Sequence, residues 1–430
     1  MTTSRRGLLR AGVAAGAAAL VAGCGRAVAS SLDQGPAGLV EVHTRWTTEA
    51  ERNGLSALLA DLKGHAPNLT FTDAAPAAGR VPGGPEAELA RRFTAGDPPD
   101  AVPTELGAEL AAHTAADRLE GLDALYRREG WAAGPLPAGL LPLLRGEDAY
   151  RCVPLAVRRS DLLWSCPAVL AEAGAGAAPG TVPELVEDLR RVRRTGRVPL
   201  AVGGPGGARQ LLEALLLGRL GADGWEALWR PGADWGSAGV AGALRDFDVL
   251  LGLSDLADPA DHAGSGARPI ADPAGGEAAT RLVGSGLAGY QVIGDRAEEM
   301  LRAGMGLRPG AGYGWAAAPG TAGVFRFRAD AFALPRAARR REASLAWLAE
   351  CGSLGGQVAF SGARGSIPAR TDLPAEARAL FGAYQRWSMD EWRLGRITGP
   401  ATWSPAADAA ILGYLDHRDP PRFQAALAGG

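Results

Sequence analysis

Short strand-like runs alternating with amphipathic helical stretches mark this chain as an α/β protein. Three observations carry that reading. The chain opens on a strand–helix–strand unit. Apolar runs of strand type recur between helices far into the sequence. Its 430 residues suffice for two domains or one large α/β domain once a leader is removed.

The leader comes first. Ser4-Arg5-Arg6-Gly7-Leu8-Leu9-Arg10 precedes a run of Ala, Gly, Leu and Val that ends in Val21-Ala22-Gly23-Cys24. A basic start, a short apolar stretch and a small-residue cleavage site make a secretory signal over residues 1–23. The Arg5-Arg6 pair looks like a twin-arginine export signal. The closing Cys24 resembles a lipobox, in which the thiol of the first mature residue is acylated. The apolar run Ala11–Ala22 falls short of the roughly 20 residues that span a bilayer. Residues 24–38, rich in Gly, Ala and Ser, read as a flexible tether.

Leu39–Val42 alternates as a strand, and Leu55, Leu58, Leu59 and Leu62 recur at helical spacing over Ala50–Lys63. Leu69–Phe71 completes the opening unit. A Gly/Pro loop at Pro76–Pro85, a helix at Glu86–Thr94 and a short strand at Asp100–Val102 follow. Val153–Val157 and Asp161–Trp164 read as a strand pair around Arg158-Arg159-Ser160. Thr181, with Glu184 three residues on, caps a helix running to about Arg194. Val198–Val202 is a buried strand, and Leu211–Leu217, Trp225–Trp229 and Ala238–Leu251 are helices. Ser254–Gly276 reads as a loop and Ala331–Leu334 as a strand. Helices at Glu342–Cys351, Ala375–Asp390 and Ala406–Ala428 finish the chain.

A formal net charge of −2 gives no basic face for nucleic acid. Lys63 is the single lysine, so arginine supplies the cations, and Arg favours flat bidentate contacts with oxygen acceptors. With Cys24 assigned to the lipobox, Cys152, Cys166 and Cys351 remain, without metal-type spacing. Outside the cell one disulfide among them is open, against buried inert thiols. His43, His65, His113, His262 and His417 have no metal-ligand partner at short spacing. Gly284-Ser285-Gly286-Leu287-Ala288-Gly289 matches G-x-G-x-x-G, but a helix precedes it and a strand follows, the reverse of a dinucleotide site. Gly203-Gly204-Pro205-Gly206-Gly207 is not followed by the Gly-Lys-Ser/Thr of a P-loop, and neither H-E-x-x-H nor G-x-S-x-G occurs. No cofactor, metal or catalytic residue is therefore assigned.

Several stretches in order resemble one family. Phe93–Asp100 (F-T-A-G-D-P-P-D) is similar to its aromatic-then-Ala-Gly-Asp-Pro-Pro-Asp signature, and Val153–Trp164 with Ala173-Gly174 and Pro179–Leu185 to its hinge block. Leu287–Asp295 is similar to its strand ending in Gly-Asp-Trp. Pro319–Phe325, Asp330–Phe332, Gly352-Ser353, Gly356-Gln357, Phe360 and Gly365–Arg370 continue the match. From about Val40 to its end the chain resembles the family 1, carbohydrate-binding, extracellular solute-binding proteins of bacterial ABC importers.

The resemblance implies a two-lobe, type II periplasmic-binding-protein-like α/β fold, with hinge strands and a ligand cleft between the lobes. It places 39–157 with 284–335 in the first lobe, and 158–283 with 336–430 in the second. It implies a monomeric, lipid-anchored protein on the outer face of the cell membrane. Such a protein captures a sugar or sugar-like solute, delivers it to permease subunits and does no catalysis. Trp46 and Glu49 stand where related proteins place a stacking ring and a hydroxyl acceptor. Thr104, Glu105, Arg158, Trp235, Asp295, Arg296, Arg328, Asp330 and Arg364 are the other expected ligand contacts, with Trp46 and Asp295 facing one crevice. Departures accompany the match: Pro103 and Glu105 replace Gln and His, and Arg296 replaces Trp. These make the cleft more charged than a hexose site and leave an acidic, amino or larger polyol ligand open. Two other classes compete: a diverged relic acting as a sensor or partner-binding lipoprotein for a non-sugar ligand, and an extracellular hydrolase using paired carboxylates.

Overall fold

The alternating Leu39–Val42 run forms an edge of a parallel pair with Leu69–Asp73, joined by the helix Glu49–His65, as the opening unit requires. This computed structural model describes residues 37–75, 84–230, 232–256 and 273–429. The expected export and lipidation residues Arg5, Arg6 and Cys24, and His262, lie outside the described residues. The described strands are β1 (Gly38–Val42), β2 (Leu69–Asp73), β3 (Val102–Thr104), β4 (Cys152–Arg159), β5 (Leu162–Ser165), β6 (Val198–Val202), β7 (Ser254–Leu256), β8 (Ala288–Val292), β9 (Gly314–Ala317), β10 (Val324–Ala333), β11 (Ile367–Pro368) and β12 (Arg396–Thr398).

Two sheets follow the β1–β2 pair. One runs β11-β4-β10-β12, with β3 also paired to β10; the other runs β7-β6-β8-β5-β9. Each sheet has its own apolar core. The first gathers Val40, Leu58, Phe332, Trp347, Phe360 and Trp392; the second gathers Leu200, Leu212, Trp225, Phe247 and Tyr290. The structure is thus two lobes, and the chain passes between them three times. It crosses from β4 to β5 at Ser160-Asp161, returns between β9 and β10, and crosses again between β12 and the helix Pro405–His417.

Two expectations are corrected here. Val153–Val157 and Asp161–Trp164 are both strands, but they do not pair: β4 bonds β10 and β11, whereas β5 bonds β8 and β9. The apolar runs look like a hairpin because only a crossover separates them. The lobe boundaries change for the same reason. Segment 284–335 does not join the first lobe as a unit, because β8 and β9 complete the second sheet and only β10 lies in the first. Within 336–430, the helices Arg341–Gly352, Leu354–Arg364 and Ala383–Leu394 bury Trp347, Phe360 and Trp392 in the first core. Pro405–His417 and Pro420–Gly429 pack on the second, through Ile411, Tyr414, Phe423 and Leu427, while Tyr384 and Trp387 of Ala383–Leu394 reach over to Trp164 and Trp315 of β5 and β9 in a smaller apolar cluster between the lobes.

Local chemistry explains the element ends. Thr181 caps the helix Val182–Arg194 by accepting from the Glu184 N–H at 3.3 Å, as its sequence predicts; the Glu184 carboxylate accepts from Gly180. Gly204–Leu228 is one long helix kinked at Gly221, whose φ of 66° favours glycine. The expected helix Ala375–Asp390 is interrupted at Gly382, and part of the expected loop Ser254–Gly276 is β7 and the start of the helix Pro273–Gly284. Cys152, Cys166 and Cys351 are free and buried, so the described cysteines form no disulfide; burial pushes the Cys152 and Cys351 thiols far up.

Arg159, at the end of β4, is 1% exposed and ties the crossings together. Its guanidinium donates to Asp161 in the first crossing at 3.1 and 3.3 Å, to the Val324 carbonyl at the start of β10 at 3.1 Å, and to Glu391 at 3.3 Å. Phe325 and Trp387 lie against it at 5.0 and 4.9 Å. Arg159→Met leaves the fully buried Asp161 carboxylate without its cation, and should cost about 3–5 kcal/mol in urea unfolding. Arg159→Met combined with Asp161→Leu should recover part of that loss, because it removes the stranded charge.

Candidate functional site

A cleft of about 960 Å³ opens between the lobes, with the hinge at its floor. The first lobe brings Glu49 and Asn53 from the first helix, Glu105 after β3, Arg158 from β4, Arg328 from β10 and Arg364. The second brings Arg209, Gln210 and Glu213 from the start of Gly204–Leu228, Glu277, Thr280 and Arg281 from Pro273–Gly284, and Asp295 to Gly304 after β8. Pro400, Ala401 and Trp403 come from the third crossing.

Seven of the expected ligand residues meet here: Glu49, Glu105, Arg158, Asp295, Arg296, Arg328 and Arg364. Four do not. Trp46 packs on Phe332 and Phe360 with ring centroids 5.5 and 4.8 Å away and donates to Asp330 at 3.4 Å; it seals the first core beside the cleft. It shares no crevice with Asp295. Thr104 is buried at 2% exposure in β3, and Asp330 lies under Arg364, which pairs with it. Trp235 packs behind Trp403 at 5.7 Å, one ring away from the opening.

Sequence reasoning missed Trp403, Glu213, Arg209 and Arg326. Among the described residues Trp403 is the one aromatic side chain lining the cleft, and its indole N–H donates to Glu213 at 2.7 Å. Glu213 also accepts from Arg326 on β10, which carries this pair across the hinge. Burial would raise Glu213, but Arg326 and Arg209 outweigh it and hold its carboxyl below the ordinary range. The signal available was the glycine run that opens that helix: Gly206 and Gly207 in its first turn line the wall, which admits the following turn to the cleft.

The charges are numerous and mostly engaged. Among the described residues, nine arginines and seven carboxylates line the wall. Glu105 pairs with Arg328, Arg364 with Asp330 and with Glu51 at 3.1 Å, Arg296 with Glu277 at 3.3 Å, and Arg209 with Asp408 at 3.3 Å. Burial pushes Asp330 up, but the Arg364 and Arg158 guanidiniums prevail and keep it below the usual carboxylate range. Asp295 differs. Its carboxylate accepts the Arg159 N–H at 3.1 Å, and Gly294 lets its loop lie against the Arg159 carbonyl, 3.1 Å from where a Cβ would stand. Burial pushes the Asp295 carboxyl up to about 7, despite Arg158 nearby.

Away from the cleft, Asp61, His65 and Glu350 bring ligand-type atoms within 4.8 Å of one another. Burial, with the Asp61 carboxylate beside it, pushes Glu350 up to about 8, the behaviour of a carboxyl that keeps its proton.

No protein-family model matches the chain. It is 30% identical over 347 residues to a probable sugar-binding periplasmic protein of Brucella suis, covering 79% of this chain and 76% of that one. A second probable sugar-binding periplasmic protein, of Rhizobium meliloti, is 30% identical over 345 residues, 78% of this chain and 77% of that one. Among solved structures, a probable secreted solute-binding lipoprotein of Streptomyces coelicolor superposes with a TM-score of 0.67 at 20% identity, over 90% of this chain and 97% of that one. That likeness supports the two-lobe α/β fold expected from the sequence.

The raised Asp295 carboxyl sets a pH dependence. A folded pKa of about 7 lies above the ordinary 3.8, so its contribution is complete below pH 3.8 and is lost as pH rises through 7. The melting temperature of the native chain should fall against that of Asp295→Asn between pH 4.5 and 8, and the gap should level off above that range.

Proposed function

Because the chain belongs to the sugar-binding periplasmic proteins that serve ABC importers, we propose that it is an extracytoplasmic receptor that closes its lobes on a sugar and passes it unaltered to an ABC permease. In this reading an acyl chain on Cys24 holds it to the outer face of the membrane, after export through the Arg5-Arg6 signal. The protein acts as a monomer, without cofactor or catalytic group.

The single observation that carries the reading is the cleft. Its walls come from two separately cored lobes joined by three strand-end crossings, the arrangement a hinge closure needs. A sugar offers hydroxyls at its rim and flat C–H faces. In the site proposed here, Glu49, Glu105 and Asp295 accept from hydroxyls, and Arg158, Arg296, Arg328 and Arg364 donate to them. Trp403 covers an apolar face. Trp46, Thr104, Trp235 and Asp330 support this shell from behind. The leader pattern ending in Cys24 supports the lipid anchor.

Thermal denaturation against a panel of mono- and disaccharides tests the capture. A ligand at a hundred times its Kd should stabilise the chain by about 2.7 kcal/mol, and silence across the panel would remove a sugar from this reading. Trp403→Ala should weaken binding about three- to tenfold in calorimetry, the range expected from losing one stacking face. Cys24→Ser should move the expressed protein from the membrane fraction to the soluble fraction; unchanged membrane retention would end the lipid-anchor proposal.

A further inference from the structure

Most charges of the cleft bond to other residues of the wall. Arg158 does not: its guanidinium has no hydrogen-bond or ion-pair partner among the described residues. It lies in the field of Asp330, Asp295, Glu51 and Glu105, yet all four carboxylates are held by other cations or amides, Asp295 by the Arg159 amide. Arg364 and Trp46 take Asp330, Arg364 and the Thr48 amide take Glu51, and Arg328 takes Glu105.

Beside the main cleft, Arg158 also lines a recess of about 20 Å³, shared with Arg364, Asp295, Glu299 and Ser366. A volume of that size admits roughly one water-sized group. Ser366 is 2% exposed and its hydroxyl has no partner, an unmatched donor inside the protein. Buried polar groups are normally satisfied, and an orphan hydroxyl beside an unpaired guanidinium signals a missing acceptor. Three carboxyls line the recess. Glu51 stays ionised but its charge is answered by Arg364 and the Thr48 amide, and burial pushes Asp295 and Glu299 towards their neutral form, so these two oppose an incoming negative charge less than ordinary carboxylates would. A neutral hydroxyl leaves the Arg158 charge unanswered. A carboxylate answers it, in the planar two-oxygen geometry that a guanidinium matches.

We propose that the sugar taken by this cleft carries a carboxylate held by Arg158, one of its oxygens entering the recess towards Ser366 while its ring lies in the main cleft. The inference rests on the sugar reading and narrows it to acidic sugars. Uronic acids are the simplest members of that class.

Calorimetry on the native protein with glucuronate and galacturonate, against glucose and galactose, tests it. At least one uronate should bind ten or more times tighter than its neutral parent, and its affinity should fall with added salt while that of the parent holds. Arg158→Gln should abolish that preference. Arg158→Lys, which keeps the charge and loses the fork, should retain part of it, and Ser366→Ala should lower uronate affinity about threefold or more. Thermal unfolding of each variant without ligand reads whether the fold is intact. A neutral parent that binds as tightly as its uronate, or a preference that survives Arg158→Gln, overturns the acidic ligand and leaves sugar capture standing. A hexose 6-phosphate that outbinds both uronates overturns the carboxylate in favour of a phosphate. Binding of no sugar, charged or neutral, overturns this inference together with the reading beneath it.

Discussion

One buried guanidinium organises the molecule. Arg159 ends the strand that leaves the first lobe, and two of the groups it holds stand at passages between lobes. Asp161 lies in the first crossing, the Val324 carbonyl at the return, and Glu391 on the helix beneath. Its own amide and carbonyl bond Asp295, so the loop after β8 is fixed by the same residue. A charge this buried is tolerated only when every donor is answered, and breaking one contact strands the others. That is a strict demand on geometry. It keeps the crossings in register at one point between two lobes that each have their own core.

The cleft inherits its chemistry from that point. Arg158 precedes Arg159 on an extended strand, where successive side chains face opposite ways. With Arg159 turned into the hinge, Arg158 lines the cleft. Asp295 is drawn to the floor by the Arg159 amide, and its burial there raises its carboxyl. The hinge and the floor of the cleft are therefore one construction.

Much of this was legible beforehand, and the failures share one cause. The parallel β1–β2 unit, the Thr181 cap and the helix-then-strand order around Gly284–Gly289 are local patterns, and each appears where its residues predict it. Asp295 and Arg364 reach the cleft because the stretches around them, Gly294-Asp295 and Gly365-Ser366-Ile367-Pro368, are specific enough to align. Trp46 and Trp235 did not follow, because an aromatic ring after a strand or before a helix caps a core as readily as it faces a ligand, and nothing local decides between them. The β4–β5 pair failed for a related reason: its true partners, β10 and β8, lie more than a hundred residues away. Once those pairings were misplaced, the lobe boundaries moved with them. Trp403 was missed because a crossover residue belongs to no periodic pattern.

The distribution of ion pairs shows how a cleft so rich in charge can close. Burying a charge is costly unless its partner is already present. Glu105 with Arg328, and Arg364 with Asp330 and Glu51, are paired within the first lobe; Arg296 with Glu277, and Arg209 with Asp408, are paired within the second. Pairs that reach between lobes, Arg326 with Glu213 and the Arg159 amide with Asp295, sit at the floor, where the lobes separate least. Closure of the upper walls then need not break an ion pair or strand a new charge. Most of the wall stays neutral in pairs while it loses water, and the charges without a partner, Arg158 among them, are those whose desolvation a ligand must offset. Discrimination among ligands thus falls to the few side chains that the protein has left unmatched.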